Sequence, residues 1–115
     1  MKNVEQGVLD ILILNLKKGC RPGFDRLYQE LALPLLKRWN VDVIFFGPSL
    51  HEEETYLIVR RYKNVADRSK SQDEYYNSHE WKDGPREQIM SLIESYSSVV
   101  VPANEILVDG FRMMK

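Results

Sequence analysis

Length, composition and charge predict a single globular domain spanning residues 1–115. The chain is 43% hydrophobic and 29% charged, so it is able to bury a core without a disulfide or a structural metal. Its formal net charge of -1 and the lack of a basic tract argue against nucleic-acid and membrane partners. One cysteine, no signal-peptide pattern and no apolar run of about eighteen residues predict a cytoplasmic protein.

The first predicted strand, Val8 to Leu16, is apolar on both of its alternating faces, and only Asp10 and Asn15 are polar. The apolar side chains of the two faces are Leu9, Ile11 and Ile13 on one side and Val8, Leu12, Leu14 and Leu16 on the other. The chain has enough helix to cover one side of such a sheet. We therefore predict that the other side meets a second copy, giving a homodimer.

A helix is predicted from about Pro22, whose missing N–H is tolerated in a first turn, to Trp39. Asn40 is expected to end it in the left-handed conformation. Pro34 removes a backbone hydrogen bond within this segment, which predicts a kink near Leu33. The apolar residues that recur at helical spacing are Phe24, Leu27, Tyr28, Leu31, Leu35, Leu36 and Trp39.

Two further strands, Val41 to Leu50 and Thr55 to Arg61, follow this helix. They are joined across Ser49 to Glu54, a polar and acidic stretch typical of a hairpin tip. The tip holds His51 and three glutamates, which alternate in direction and so predict a solvated turn and no metal site. The two strands are therefore expected to be antiparallel neighbours.

Two helices and a fourth strand complete the predicted order. Asn64 is expected to cap a helix that runs to about Tyr76, and Pro85 to start another. The fourth strand is predicted at Ser97 to Ala103, and the apolar run Ile106 to Val108 is expected to add a short edge strand or an arm. The residues assigned to one face of the third helix are Ile89, Leu92, Ile93 and Tyr96.

The element order is strand, helix, strand, strand, helix, helix, strand. This order predicts a ferredoxin-like α+β fold, a four-stranded antiparallel sheet with its helices on one face. We find no internal repeat or low-complexity segment in the sequence.

The chain carries an ordered set of motifs over residues 8–104. They are the Phe24 to Trp39 helix with its Leu33-Pro34-Leu35-Leu36 core, the strand pair, Arg61 to Arg68, His79-Glu80-Trp81, and Gly84-Pro85-Arg86. This set resembles the NIPSNAP-type branch of the dimeric α/β-barrel superfamily. The resemblance implies a homodimer in which two such sheets meet as a barrel, with a small pocket in each subunit between sheet and helices.

Relatives in that superfamily include cofactor-independent monooxygenases of the antibiotic-biosynthesis type, haem-degrading enzymes, and many proteins without an assigned activity. The haem-dependent relatives carry a histidine on the second helix, where this chain has Gln72, Asp73 and Glu74, so no cofactor is predicted. We predict a homodimeric protein of unassigned activity that binds a small apolar or aromatic molecule or a protein partner. The alternative is a cofactor-independent monooxygenase acting on an aromatic or quinol substrate.

Three candidate ligand-binding residues, Asn15, Tyr56 and Arg60, come from the first and third strands. The resemblance makes Asn15 a candidate for the asparagine that the monooxygenase relatives carry late in the first strand; the alternative is a polar residue at a strand end near the surface. Tyr56 and Arg60 share one strand face while Arg61 lies on the other, so one arginine is expected to point inward and hold a carboxylate or phenolate. Alternatively, both arginines pair with acids such as Asp42 or Glu30.

The break between the second and third helices supplies His79 and Trp81 as a candidate ligand mouth. The alternative is that Trp81 packs across the helix junction while His79 faces water. An open cavity lined by Asn15, Arg60 and His79 would favour an enzyme, whereas a filled interior would favour the binding interpretation. The sequence assigns no catalytic residue.

Overall fold

A four-stranded antiparallel sheet forms the centre of the structure, a computed structural model that describes residues 7–114. Its strands are β1 (Val8–Leu16), β2 (Asp42–Pro48), β3 (Thr55–Tyr62) and β4 (Ile93–Pro102), and their order in the sheet is β2-β3-β1-β4. All three strand pairs are antiparallel. The predicted ferredoxin-like α+β fold is confirmed.

Helices join and follow these strands, and none within residues 7–114 is both long and apolar enough to cross a membrane. The second predicted helix is found where the sequence places it, with the Asn64 side chain accepting a hydrogen bond from the Asp67 N–H at 2.7 Å. The helices are α1 (Arg21–Leu27), α2 (Leu33–Arg38), α3 (Val65–Tyr76), α4 (His79–Lys82), α5 (Arg86–Met90) and α6 (Glu105–Met113).

Helices α1 and α2 are joined by one π-helical turn, Tyr28–Ala32, at the position of the predicted kink. The Leu33 N–H donates to the Tyr28 carbonyl, one residue further back than in an α-helix. Pro34 has no N–H to donate, and the wider turn absorbs this loss without ending the helix. The segment ends at Asn40, whose φ of 60° is the predicted left-handed conformation.

The third predicted helix is shorter than expected. Helix α5 ends at Met90, and Ile93 and Tyr96 belong to β4. That strand pairs with β1 along its whole length, from Leu16 opposite Ile93 to Val8 opposite Pro102. The pairing satisfies β1 backbone groups that a longer helix would leave without partners.

The C-terminal apolar run is helix α6, which corrects the predicted edge strand or arm. The Asn104 side chain caps it by accepting a hydrogen bond from the Ile106 N–H at 2.8 Å. Val108 is fully buried against the sheet, and Phe111 lies against Phe45 with ring centroids 5.9 Å apart. The residues packed with Val108 are Leu9, Ile44, Val59 and Ala103.

The sheet therefore has two different faces. The first face carries the even-numbered residues of β1 and packs against α1 to α5. The second face carries Leu9, Ile11 and Ile13, and α6 covers only part of it. Ile13 and Val99, on β1 and β4, remain 38% and 52% exposed. The prediction of helices on one face is thus corrected by α6, and part of the second face stays open in the single chain.

Candidate functional site

A cavity of about 540 Å³ lies between the first face of the sheet and the helices packed on it. This volume falls within the range of small-molecule binding sites, roughly 300–1,000 Å³. Apolar side chains from the sheet and helices form much of its wall, among them Leu12, Leu14, Ile58 and Ile89. The remaining wall is polar and aromatic.

A buried ionic cluster adjoins the cavity. Asp10 on β1 lies opposite Arg60 on β3, both are buried, and the Arg60 Nη2 is 3.1 Å from an Asp10 carboxylate oxygen. The other carboxylate oxygen accepts from the Arg68 Nε and, at 3.1 Å, from the Gln72 Nε2. Arg68 and Gln72 are four residues apart on α3 and so share a helix face. The cluster ties α3 to the centre of the sheet.

The protonation state of Asp10 follows from these contacts. Burial by itself raises the pKa of this carboxyl, but the Arg60 charge and the hydrogen bonds from Arg68, Arg60 and Gln72 outweigh burial and hold the pKa below its usual value. Asp10 is therefore ionised at neutral pH. Two guanidinium groups share one carboxylate, which leaves the cluster with one positive charge in excess.

Three buried polar atoms have no hydrogen-bond partner among the described residues: the Tyr28 hydroxyl, the Tyr75 hydroxyl and the Arg60 Nε. All three residues line the cavity. Burial raises the pKa of both phenols above its usual value, so both keep their protons and can donate. Buried polar groups without partners are uncommon and destabilise a protein. These three donors therefore leave hydrogen-bonding capacity unused in residues of the cavity wall.

An aromatic wall completes the cavity. Trp81 lies 5.4 Å from Tyr75 and 5.3 Å from Tyr76, measured between ring centroids. The Tyr76 hydroxyl also accepts a hydrogen bond from the Arg60 Nη1 at 3.0 Å. This wall offers flat apolar surface beside the ionic cluster, an arrangement suited to an aromatic ring that carries a polar group.

The structure brings two of the five sequence-predicted residues to the cavity, Arg60 and Trp81. Asn15 lies on the second face at the end of β1, where its Nδ2 donates to the Ser95 hydroxyl at 3.1 Å. His79 faces outward with its side chain 95% exposed. Neither residue lines the cavity.

Tyr56 is fully buried in the core and does not line the cavity. Its ring meets that of Phe24 edge to face, with centroids 5.0 Å apart, and its hydroxyl donates to the Asp25 carboxylate. Its place is thus in the packing of α1 against β3. The inward arginine is Arg60, and Arg61 lies on the second face with Glu105 at 3.2 Å.

Sequence reasoning missed most of the polar wall: Tyr28, Tyr75, Tyr76, Arg68 and Gln72 were not singled out as site residues. One signal was available, because Asp10 is the only charged residue in the first strand. A charged side chain within a two-faced apolar strand requires a buried partner of opposite sign. The sequence could not identify which residue pairs with Asp10, because that depends on the register between strands.

Three of the buried tyrosines, Tyr28, Tyr56 and Tyr75, are expected to respond differently to loss of the hydroxyl. Tyr28→Phe and Tyr75→Phe remove groups without partners, so the free energy of unfolding should be unchanged or rise. Tyr56→Phe removes a hydrogen bond to a carboxylate and should lower the free energy of unfolding by about 1.5–3 kcal/mol. Urea unfolding of the three variants measures the difference. A Tyr28→Phe variant as unstable as Tyr56→Phe would show that the Tyr28 hydroxyl has a partner in solution.

These features define a ferredoxin-like α+β protein with a ligand-sized cavity between sheet and helices. No family model and no curated protein matches the chain. Solved structures match it along most of its length. A NIPSNAP family protein from Agrobacterium tumefaciens superposes with a TM-score of 0.80 at 12% identity, covering 91% of this chain and 92% of that one.

Two other solved structures extend the comparison. An uncharacterised NIPSNAP domain protein from Burkholderia xenovorans has a TM-score of 0.73 at 14% identity, over 82% of this chain and 91% of its own. A putative antibiotic biosynthesis monooxygenase from Nitrosomonas europaea has a TM-score of 0.59 at 10% identity, over 89% of this chain and 94% of its own. The chain therefore has the fold of NIPSNAP-domain proteins, which confirms the predicted resemblance at the level of the fold.

Proposed function

We propose that this protein binds a small, largely apolar or aromatic molecule in the cavity between the sheet and the helices. The observation that carries the proposal is the combination of a volume of about 540 Å³ with three buried polar atoms that lack partners on its wall. A cavity used only for packing would be filled, since protein interiors are close-packed. Polar atoms would also not be left unpaired around it without a reason.

A neutral apolar fluorophore, N-phenyl-1-naphthylamine, tests this function. We expect its emission to rise on binding to the native protein, and Ser98→Trp to abolish the rise because Ser98 lines the cavity from the edge strand β4. Gln88→Trp, on the exposed surface of α5, is the matched control and should bind as the parent does. Equal binding by both variants, or no binding by the parent, would contradict the proposal.

We also propose that two copies associate through the open part of the second face. Ile13 and Val99 are exposed there, next to a region that α6 already covers. A second copy would bury these side chains, which favours association by the hydrophobic effect.

Sedimentation tests the dimer. The native protein is expected to sediment at twice its chain mass of 13.5 kDa, and Val99→Glu at the single mass, because a carboxylate would then be buried in the interface. Leu50→Glu replaces a fully exposed apolar residue at the hairpin and should leave the dimer intact. A native protein that sediments as a monomer at micromolar concentration would refute the proposal.

The monooxygenase alternative uses the same cavity. An open cavity lined by Asn15, Arg60 and His79 was the pattern expected of an enzyme; the cavity is open, but of these residues only Arg60 lines it. A filled interior was the pattern expected of a binding protein, so the open cavity itself counts for the enzyme, and the positions of Asn15 and His79 away from its wall count against it. On the second observation we favour binding over catalysis. Oxygen uptake by the native protein on addition of an aromatic quinol, lost in Ser98→Trp, would support the enzyme instead.

A further inference from the structure

The polar side of the cavity carries an excess of positive charge. Arg60 and Arg68 share the single carboxylate of Asp10. Lys82 and Arg86 also line the cavity, and neither has an ion-pair partner within residues 7–114. In that part of the chain, no aspartate or glutamate is among the residues that line it. A partly buried positive charge is stabilised by an anion that enters the same space.

The unpartnered groups are hydrogen-bond donors. The Arg60 Nε is a donor only, and it belongs to a side chain that is 5% exposed. The two phenols are near enough for the Arg60 charge to act on them: burial raises the pKa of each and the arginine opposes that rise. The three donors belong to residues that line the cavity, and none of them has an acceptor within residues 7–114.

The shape of the cavity limits the kind of anion. The rest of its wall is largely apolar and aromatic, with Trp81 and Tyr76 in edge-to-face contact. A small inorganic anion would satisfy the donors but leave this surface uncovered. A neutral aromatic molecule would cover the surface but leave the positive charge without a counterion. Both requirements are met by an aromatic ring that carries an acidic group.

We propose, building on the binding function above, that the ligand is a small aromatic carboxylate. Its carboxylate accepts hydrogen bonds from the Arg60 Nε and from the Tyr28 and Tyr75 hydroxyls, and its ring lies along the wall formed by Trp81 and Tyr76. A carboxylate suits three donors because its two oxygens offer about four acceptor positions. It is also ionised at neutral pH without help from the protein.

Two probes of matched ring size, 2-naphthoate and 2-naphthalenemethanol, test the inference. Only 2-naphthoate carries an acidic group. Titration calorimetry at neutral pH is expected to show 2-naphthoate binding to the native protein at least about tenfold more tightly than the alcohol, the size of effect typical of hydrogen bonds to a charged group. Binding of the naphthoate should weaken as salt is added, because the attraction is partly electrostatic.

Three variants locate the carboxylate. Tyr28→Phe and Tyr75→Phe each remove one donor, and Arg60→Lys removes the Nε while it keeps a cation. Each is expected to weaken 2-naphthoate binding by about tenfold and to leave binding of the alcohol within about twofold. The matched control is Arg61→Lys, the same substitution one residue along β3, on the second face. It should leave both affinities unchanged.

The outcomes separate this inference from the function on which it rests. If naphthoate and alcohol bind equally, or if all three variants bind naphthoate as the native protein does, the carboxylate inference is wrong and the apolar-binding function stands. If neither probe nor N-phenyl-1-naphthylamine binds, the binding function itself is wrong.

Discussion

Asp10→Ala is expected to lower the free energy of unfolding by about 3–5 kcal/mol, the range found when one partner of a buried ion pair is removed. Asp10 is fully buried and Arg60 is 5% exposed, so the variant leaves a guanidinium inside the protein with no carboxylate. It also removes the acceptor that holds Arg68 and Gln72 on α3. Urea unfolding, monitored by tryptophan fluorescence, measures the loss.

Two controls assign the effect to burial of the charge. Asp42→Ala removes an exposed partner of Arg112, at 3.5 Å, and should change stability by less than about 1 kcal/mol. The double variant Asp10→Val with Arg60→Met replaces the buried pair by apolar residues and should recover most of the loss, since such replacements are often neutral. A single Asp10→Ala variant as stable as Asp42→Ala would contradict the buried ionic cluster.

The same carboxylate predicts a pH dependence. Because folding lowers the pKa of Asp10 from a usual value of 3.8, its contribution to stability is complete above that pH and is lost as the pH falls through the folded value. The stability difference between the native protein and Asp10→Ala should therefore be constant at neutral pH and shrink below about pH 3.8. A difference that does not change with acid would mean that folding does not lower the pKa of Asp10.

Val108→Asp is expected to cause the second large loss of stability. Val108 is fully buried where α6 packs on the second face, so a carboxylate there would have to lose its hydration without a partner. We expect a loss of at least about 3 kcal/mol in the free energy of unfolding, in the range of the most disruptive single substitutions. Thermal and urea unfolding both measure it.

Ile106→Asp is the matched control on the same helix. Ile106 is 83% exposed and lies in the first turn of α6, where an acidic residue is tolerated by the helix dipole. The free energy of unfolding of Ile106→Asp should stay within about 0.5 kcal/mol of the native value. If both variants unfold equally, α6 does not pack on the sheet in solution as the structure has it.

Local patterns in the sequence predicted most of the secondary structure. The apolar pattern of β1, the cap at Asn64 and the left-handed Asn40 were all predicted, because each depends on residues a few positions apart. Two segments were predicted wrongly, Ile93 to Tyr96 and Ile106 to Val108. Short apolar runs fit both helix and strand periods, and only tertiary contacts choose between them.

The site was predicted less completely than the fold. Parity along the third strand predicted that one arginine faces inward, and Arg60 does. The sequence could not show its partner, since Asp10 is 50 residues away and faces Arg60 only through the register of β1 and β3. The sequence also could not show that Asn15 and His79 lie outside the cavity. The position of Asn15 depends on which face of the sheet lines the cavity, and that of His79 on which side of α4 packs against the core.

The sequence by itself determined a ferredoxin-like α+β chain with a two-faced central strand, because hydrophobic periodicity and capping act over short distances along the chain. Only the tertiary structure decided that α6 covers part of the second face, that Asp10 and Arg60 meet, and that Tyr28 and Tyr75 have hydroxyls without partners beside a cavity. These features depend on packing between distant segments. The relative positions of such segments are set by the whole fold and by no local pattern.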